Sequence, residues 1–334
     1  MNADVRIETV DTHTQGEPTR IVTDGLDRSA FAGGTVADQR DAFADSLDWV
    51  REFLMKEPRG HDDMFGAVLA EPRHEKADVG AFFMDSGGYL DMCGHGTIGL
   101  VTALVELGEV EPRSPIYLET PAGLVETHPE VEDGIVTSVA LRNVESFVYD
   151  RTTVTVDGPA GPTAIPVDVV YAGNFFALVD GDELGIAVDT ANTDRFVEYG
   201  LRIRERVNDE LDVVDPFTGE ADSVSIAEFY QSTAEADRNV VVFGEGSVDR
   251  SPCGTGTCAK MTLLHEKDRL DVGEPYLHES IIGTRFEGRL VDARDRRGTT
   301  VVTPEVSGSA RIIGKHTFIK QPHDSLDGFS VSAD

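Results

Sequence analysis

Met92-Cys93-Gly94-His95-Gly96-Thr97 and Pro252-Cys253-Gly254-Thr255-Gly256-Thr257 are the stretches on which the reading of this chain turns. Each holds Cys-Gly-x-Gly-Thr and opens an apolar helix pattern, through Leu107 in the first case and Leu270 in the second. Beyond the helices come Gly108-Glu109 and Gly273-Glu274. These are followed by Tyr117-Leu118-Glu119-Thr120 and Tyr276-Leu277-His278-Glu279-Ser280, each leading into a strand. The cysteines lie 160 residues apart and the tyrosines 159. Five features in one order are too many for coincidence among glycine-rich turns, so the chain reads as a duplicated domain.

Around these motifs, short strand-like runs alternate with Gly, Pro and Asp turns. They include Ile165–Val170, Phe175–Val179, Asn239–Phe243 and Thr299–Val302. Asp194–Leu211 and Phe43–Lys56 carry the spacing of amphipathic helices, and no low-complexity linker divides the chain. The pattern predicts an α/β (α+β) fold of two similar domains, each presenting one cysteine at a helix N-terminus.

Composition supports two sizeable cores, with 334 residues of which 40% are hydrophobic. Charge is lopsided: 61 acidic against 29 basic residues, net −32. Such a field repels phosphate backbones and anionic lipid, which argues against nucleic-acid or membrane partners. Only six of the basic residues are lysine. Abundant acid with scarce lysine is the pattern of a salt-adapted, halophilic surface, where counterions screen self-repulsion. Three cysteines are too few for a disulfide framework. Met1 to Val10 lacks a signal-peptide pattern, and no apolar run reaches membrane-spanning length, so a soluble, reduced, cytoplasmic protein is expected.

A helix N-terminus offers backbone N–H groups and a partial positive charge. A thiol placed there is expected to have its thiolate stabilised, and the neighbouring glycines let a small carboxylate approach Gly94-His95 and Gly254-Thr255. Two such ends facing one another across a cleft suit one reaction: one thiolate removes the proton beside the carboxylate, and the opposite thiol returns one to the other face.

Asp85-Ser86-Gly87-Gly88-Tyr89-Leu90-Asp91-Met92-Cys93-Gly94-His95-Gly96-Thr97-Ile98-Gly99 resembles the first catalytic motif of the proline racemase family. Asp249-Arg250-Ser251-Pro252-Cys253-Gly254-Thr255-Gly256-Thr257 resembles the second. Asp11-Thr12-His13-Thr14-Gln15-Gly16-Glu17-Pro18-Thr19-Arg20 and Pro58-Arg59-Gly60-His61 also match. The resemblance implies a cofactor-independent enzyme without a metal and usually a homodimer. Its fold would be that of diaminopimelate epimerase, with two curved, mostly antiparallel sheets, each around a central helix, and the site in the cleft between them. It implies a first domain over 1–149 with 306–334 (including the Ile312–Ile319 strand pattern) returning to it, and a second over 150–305. Cys93 and Cys253 take the two acid/base roles. Gly94, His95, Gly254 and Thr255 hold the substrate carboxylate, and Asp249 accepts from the substrate ammonium.

Within the family, dehydratases of trans-3-hydroxyproline usually carry threonine where this chain has Cys253, so cysteine favours inversion. Phe65 and Phe243 fall where proline racemases carry aromatic walls, whereas 4-hydroxyproline 2-epimerases tend to smaller or more polar residues. Two phenylalanines would bury a ring hydroxyl unpartnered, at about 1–3 kcal/mol. The chain therefore reads as a racemase of free proline, with 4-hydroxyproline 2-epimerase as the alternative. The ordinary role of a phenylalanine in a strand is core packing.

Other chemistries leave weaker traces. Gly94-x-Gly96-x-x-Gly99 matches the dinucleotide fingerprint of an oxidoreductase, but the second copy has Ala259 for the third glycine. Cys93, His95, Cys253 and Cys258 lack the usual zinc spacings, and Cys258, one turn into its helix, suits a small buried side chain. His13, His61, His74, His265, His278, His316 and His323 read individually as structural or solvated. A non-catalytic carboxylate-binding module would not need both thiols.

Overall fold

The computed structural model describes residues 4–158 and 161–331. The end of the returning tail, 332–334, lies outside the described residues, as do 1–3 and 159–160. The chain divides into two units, Met1–Leu141 with Gly308–Asp334 and Arg142–Ser307.

In chain order the first unit holds β1 (Val5–Thr14), β2 (Glu17–Asp24), α1 (Val36–Met55), β3 (Phe65–Ala70), β4 (Val79–Asp85) and β5 (Tyr89–Leu90). It continues with α2 (Gly94–Glu106), β6 (Ile116–Thr120), β7 (Gly123–Glu132) and β8 (Ile135–Arg142). The second holds β9 (Phe147–Gly158), β10 (Gly161–Tyr171), β11 (Phe175–Asp180), the single turn α3 (Gly181–Leu184), α4 (Thr193–Glu210) and β12 (Val224–Ser232). Then follow β13 (Asp237–Phe243), β14 (Ser247–Asp249), α5 (Gly254–Glu266), β15 (Tyr276–Glu279), β16 (Arg285–Arg296) and β17 (Thr299–Gly308). The chain then returns with β18 (Ala310–Lys320), which pairs antiparallel with β1.

The two sets of ladders repeat each other. β1–β2, β3–β4, β4–β5 and β6–β7 are antiparallel, while β2–β3 and β4–β6 are parallel. Correspondingly, β10–β11, β12–β13, β13–β14 and β15–β16 are antiparallel, while β11–β12 and β13–β15 are parallel. Parallel neighbours require a crossover, and each crossover carries one long helix: α1 and α2 in the first unit, α4 (after the single turn α3) and α5 in the second. The mixed α/β class and the mostly antiparallel sheet with a central helix are thus as expected.

Register sharpens the alignment of the repeats. β4 meets β6 through Val79↔Leu118 and Gly80↔Glu119, and β13 meets β15 through Asp237↔His278 and Arg238↔Glu279. Glu119 therefore corresponds to Glu279, the same 160-residue separation as the cysteines. Tyr117 corresponds to Leu277, so the tyrosine-to-tyrosine match was one residue out of register.

Helices α2 and α5 are buried nearly all round. Every residue of α2 except Glu106 is buried, as is every residue of α5 except His265 and Glu266. A helix without a polar face belongs in a core. The amphipathic α4 instead buries Phe196, Tyr199, Gly200, Ile203 and Val207, one face at helical spacing. α1 starts well before the expected Phe43. Thr35 Oγ1 accepts from Asp38 N at 3.1 Å while the Asp38 carboxylate accepts from Thr35 N at 2.7 Å, a reciprocal cap. α5 stops short of Leu270, where Asp268 takes a left-handed φ of 53°. The strand runs expected from sequence lie within β10, β11, β13, β17 and β18. Among the described residues no helix is long and apolar enough to cross a membrane.

Candidate active site

In the first unit, β4 and β5 deliver the chain to Cys93, the N-cap of α2 in extended conformation. Its Sγ accepts from Gly96 N at 3.2 Å and lies 3.2 Å from His95 Nδ1. The His95 carbonyl accepts from Thr14 Oγ1 at 2.8 Å, and its ring meets Phe65 edge-on at 4.5 Å between centroids. Burial pushes the imidazole down to about 3, so it is neutral at physiological pH. Cys93, His95 and Phe65 are thus brought together, with Phe65 leaning also on Phe83 at 6.0 Å.

The glycines of this turn have packing reasons. A Cβ on Gly96 would lie 2.8 Å from the Phe83 ring, and one on Gly99 would lie 2.6 Å from Thr12 Oγ1. Close approach of ring and hydroxyl accounts for the second and third glycines of the G-x-G-x-x-G spacing.

In the second unit Cys253 caps α5, its Sγ accepting from Gly256 N at 3.3 Å with Thr255 Oγ1 3.6 Å away. The backbone differs from the first copy: Cys253 sits at φ 57°, ψ 112°, against −143°, 122° for Cys93. A non-glycine residue there costs about 1–3 kcal/mol and persists only where the surroundings impose it. The imposing groups are visible. Cys253 N donates to Ser251 Oγ at 3.0 Å, and Ser251 N donates to Asp249 Oδ1 at 2.7 Å, so carboxylate, serine and cysteine form one braced turn. Asp249 is buried, and that burial raises its carboxyl to about 6 despite the Ser251 bonds. Phe243 ends β13, paired with Ser247, and is buried. Gly94, Gly254 and Thr255 all lie in the first turns of their helices.

The expected lowering of a helix-terminal thiol is reversed at Cys253. Burial, then the Asp249 and Glu228 carboxylates, push this thiol well above its ordinary range. The Gly256 N–H and Thr255 hydroxyl pull it down only partly. Each cysteine keeps a sliver of exposure, 6% for Cys93 and 7% for Cys253, whereas Cys258 is wholly enclosed, as its position in the helix suggested.

Sequence reasoning missed the polar cluster beneath Cys253. Glu228, Lys260 and His278 are each no more than 1% exposed. His278 reads in isolation as an ordinary structural histidine, but its Nδ1 lies 3.1 Å from Thr257 Oγ1 and its Nε2 3.8 Å from Glu228 Oε1. Lys260 Nζ stands 3.0 Å from the Tyr230 ring centroid and 3.7 Å from Asp237. A glutamate inside the apolar run Ile226-Ala227-Glu228-Phe229 was the available signal.

Comparison with known proteins agrees with this architecture. The profile of the family described as proline racemase matches residues 9–330. The proline racemase of Acetoanaerobium sticklandii is 41% identical over 332 residues, covering 97% of this chain and 98% of that protein. The 4-hydroxyproline 2-epimerase of Streptosporangium roseum is 40% identical, covering 96% and 97%. Among solved structures, a hydroxyproline epimerase from Agrobacterium vitis with bound trans-4-hydroxy-L-proline has a TM-score of 0.90 at 31% identity. It covers 99% of this chain and 97% of that one.

Proposed function

The chain belongs to the proline racemase family, and from that premise we propose that it interconverts L- and D-proline by proton transfer between two thiols at the α-carbon, without a cofactor. The observation that carries the reading is the duplicated cap: Cys93 and Cys253 each open a buried helix with Sγ accepting the third helical N–H, at 3.2 and 3.3 Å. One sulfur, as thiolate, takes the α-proton, and the other, as thiol, delivers one to the opposite face, so the product leaves the enzyme with the two roles exchanged. The N–H groups of Gly94-His95 and Gly254-Thr255 hold the carboxylate, and Asp249 pairs with the ring ammonium.

Cys253 is the group that starts protonated, because burial and the neighbouring Asp249 carboxylate oppose its thiolate. Substrate changes this balance. An ammonium against Asp249 cancels the nearer negative charge and eases ionisation of the adjacent sulfur, which couples binding to the reverse proton transfer. Neutral His95 beside Cys93 supplies a ring nitrogen at 3.2 Å that orients the sulfur without adding charge.

Phe65 and Phe243, both buried, support proline over hydroxyproline as substrate. The epimerase relatives at similar identity support the second reading, 4-hydroxyproline 2-epimerisation by the same two thiols. Cysteine at 253 argues against the dehydratase reaction, and packing explains two of the three glycines, Gly96 and Gly99, that suggested a dinucleotide oxidoreductase. We further assign the protein to a salt-adapted cytoplasm, as a homodimer. The net charge of −32 supports the salt adaptation, and the family resemblance supports the dimer.

The test is Cys93→Ser and Cys253→Ser, assayed by polarimetry with L-proline and, in parallel, trans-4-hydroxy-L-proline in molar salt. Each variant is expected to lose at least about 100-fold of its racemisation. Near-normal inversion in either one removes the two-thiol mechanism.

A further inference from the structure

The duplication supplies an internal control for the cluster beneath Cys253. Phe83 on β4 pairs with Ala67 and Leu90; Val241, its counterpart on β13, pairs with Glu228 and Asp249. By the same register Asp237 replaces Val79 and His278 replaces Leu118, while Lys260 replaces Leu100 at the 160-residue separation. Five polar residues under the second cysteine thus have five apolar counterparts under the first. The central exchange is one of volume: under Gly96 the space is filled by the Phe83 ring, and under Gly256 by the Glu228 carboxyl, whose Oε2 lies 2.3 Å from where a Cβ would stand. That same point is 3.2 Å from Cys253 Sγ, so carboxyl and sulfur are separated by no more than the sum of these two distances.

Among the described residues, neither Glu228 oxygen nor His278 Nε2 has a hydrogen-bond partner of good geometry. Asn239 Nδ2 donates to the Pro252 carbonyl at 2.7 Å, and its pull on the Glu228 carboxyl is outweighed by burial. Thr257 Oγ1 donates to the same carbonyl at 3.2 Å, so His278 donates from Nδ1 to the threonine and presents a bare Nε2 to Glu228. Two buried acceptors facing one another at 3.8 Å are costly, and a proton on the carboxyl removes the buried charge that neither oxygen has a bond to support.

We propose that Glu228 is held as a neutral acid facing the bare His278 Nε2, and that it is a positioning residue keeping a second anion away from the Cys253 thiol. This rests on the two-thiol reading only for its consequence in turnover. The groups facing Glu228 agree with it. Tyr230 lies on its own strand, Asp237 and Asn239 on β13, Asp249 on β14, Lys260 with Cys253 and Cys258 on or beside α5, and Tyr276 and His278 on β15. Lys260 Nζ lies 3.7 Å from Asp237, which also accepts from Tyr276 Oη at 3.0 Å, so its charge is shared and offsets the burial of Glu228 only in part. Burial raises Glu228 to about 8 and lowers His278 to about 3, in the same sense.

The experiment titrates Cys253 by ultraviolet thiolate absorbance in full-length Cys93→Ser/Cys258→Ser protein, with and without Glu228→Gln. Glutamine keeps a donor for His278 but cannot ionise. Above the Glu228 titration the parent thiol ionises against a carboxylate and the variant against an amide. The midpoint is therefore expected to fall by about one to two pH units. With Cys93 and Cys258 restored, the alkaline limb of the Glu228→Gln rate profile moves down by the same amount. An unchanged midpoint overturns the influence of Glu228 on the thiol, and the neutral acid itself is read by infrared difference spectra of the parent against Glu228→Gln at neutral pH: a protonated carboxyl stretch lost in the variant supports it, and its absence overturns it. Should glutamine prevent folding, Glu228→Ala/His278→Leu copies Ala67 and Leu118 and is expected to give the same shift. If that pair also fails to fold, infrared spectra of the unaltered protein decide: a neutral carboxyl stretch persisting at neutral pH supports the proposal, and its absence overturns it. Proline racemisation by the unaltered chain is measured alongside. A shift without activity refutes the functional reading alone, and activity without a shift refutes Glu228 alone.

Discussion

Cys253 and Cys93 occupy corresponding caps with nearly equal burial, 7% and 6%, yet only Cys253 has a positive φ, 57° against −143°. Replacing each by alanine and by glycine isolates the backbone cost. At Cys93 glycine loses about 0.5–1 kcal/mol in backbone entropy and about 0.8 kcal/mol for the methyl relative to alanine, offset by its better fit at a helix N-cap. At Cys253 the same two penalties apply, but glycine also relieves the left-handed strain, about 1–3 kcal/mol. Entropy and methyl terms cancel in the difference between sites, so glycine at 253 should fare better by about 1–3 kcal/mol than glycine at 93, each judged against its own alanine. Urea unfolding of the four variants, followed by circular dichroism in one buffer, measures this. Equal glycine-minus-alanine differences at both sites would refute the claim that Ser251 and Asp249 force an unfavourable cap. A clear difference would mean that placement of the second sulfur costs the protein stability that the first does not.

Stability should also respond to pH through Glu228. Its carboxyl is raised to about 8 in the folded chain, so from the unfolded value upward the native state binds a proton the unfolded chain has lost. Stability therefore falls as pH rises through that window. Between about pH 6.5 and 8, above the titration of unfolded histidine, the expected slope is about 1.4 kcal/mol per unit, and Glu228→Gln should flatten it in denaturant titrations. His95 and His278, both lowered to about 3, act oppositely: stability drops as pH falls below the unfolded histidine value, and His95→Gln should soften that loss. Phe243→Ser should raise kcat/KM for trans-4-hydroxy-L-proline relative to L-proline by about tenfold, read by chiral chromatography; an unchanged ratio would take Phe243 out of substrate selection. Finally, KM for proline should hold or improve from low to molar salt, because counterions screen the net charge of −32 that opposes the substrate carboxylate. A steep rise in KM with the fold intact would contradict the salt-adapted reading of the surface.

The two cysteine caps were legible in the sequence itself. Cys-Gly-x-Gly-Thr at two places, each opening an apolar helix, carries both the duplication and the two thiols, because caps and helical periodicity are written in adjacent residues. The start of α1 was legible too, in Thr35 and Asp38, but hydrophobic spacing alone pointed to Phe43. What could not be read was which side chains of one strand meet those of another. Glu228, Asp249 and His278 are far apart in sequence, and only the β12–β13–β14 and β13–β15 registers bring them under one helix end. The expectation of a lowered Cys253 thiol failed for the same reason. A helix terminus is a local feature that favours the thiolate, whereas burial by distant strands, the Asp249 carboxylate four residues away and the Glu228 carboxyl of β12 outweigh it. By itself, then, the sequence determined a duplicated α/β chain with a cysteine at each of two helix starts. The tertiary structure alone decided that the two thiols are unequal, because long-range pairing sets the charge, volume and backbone strain around each sulfur.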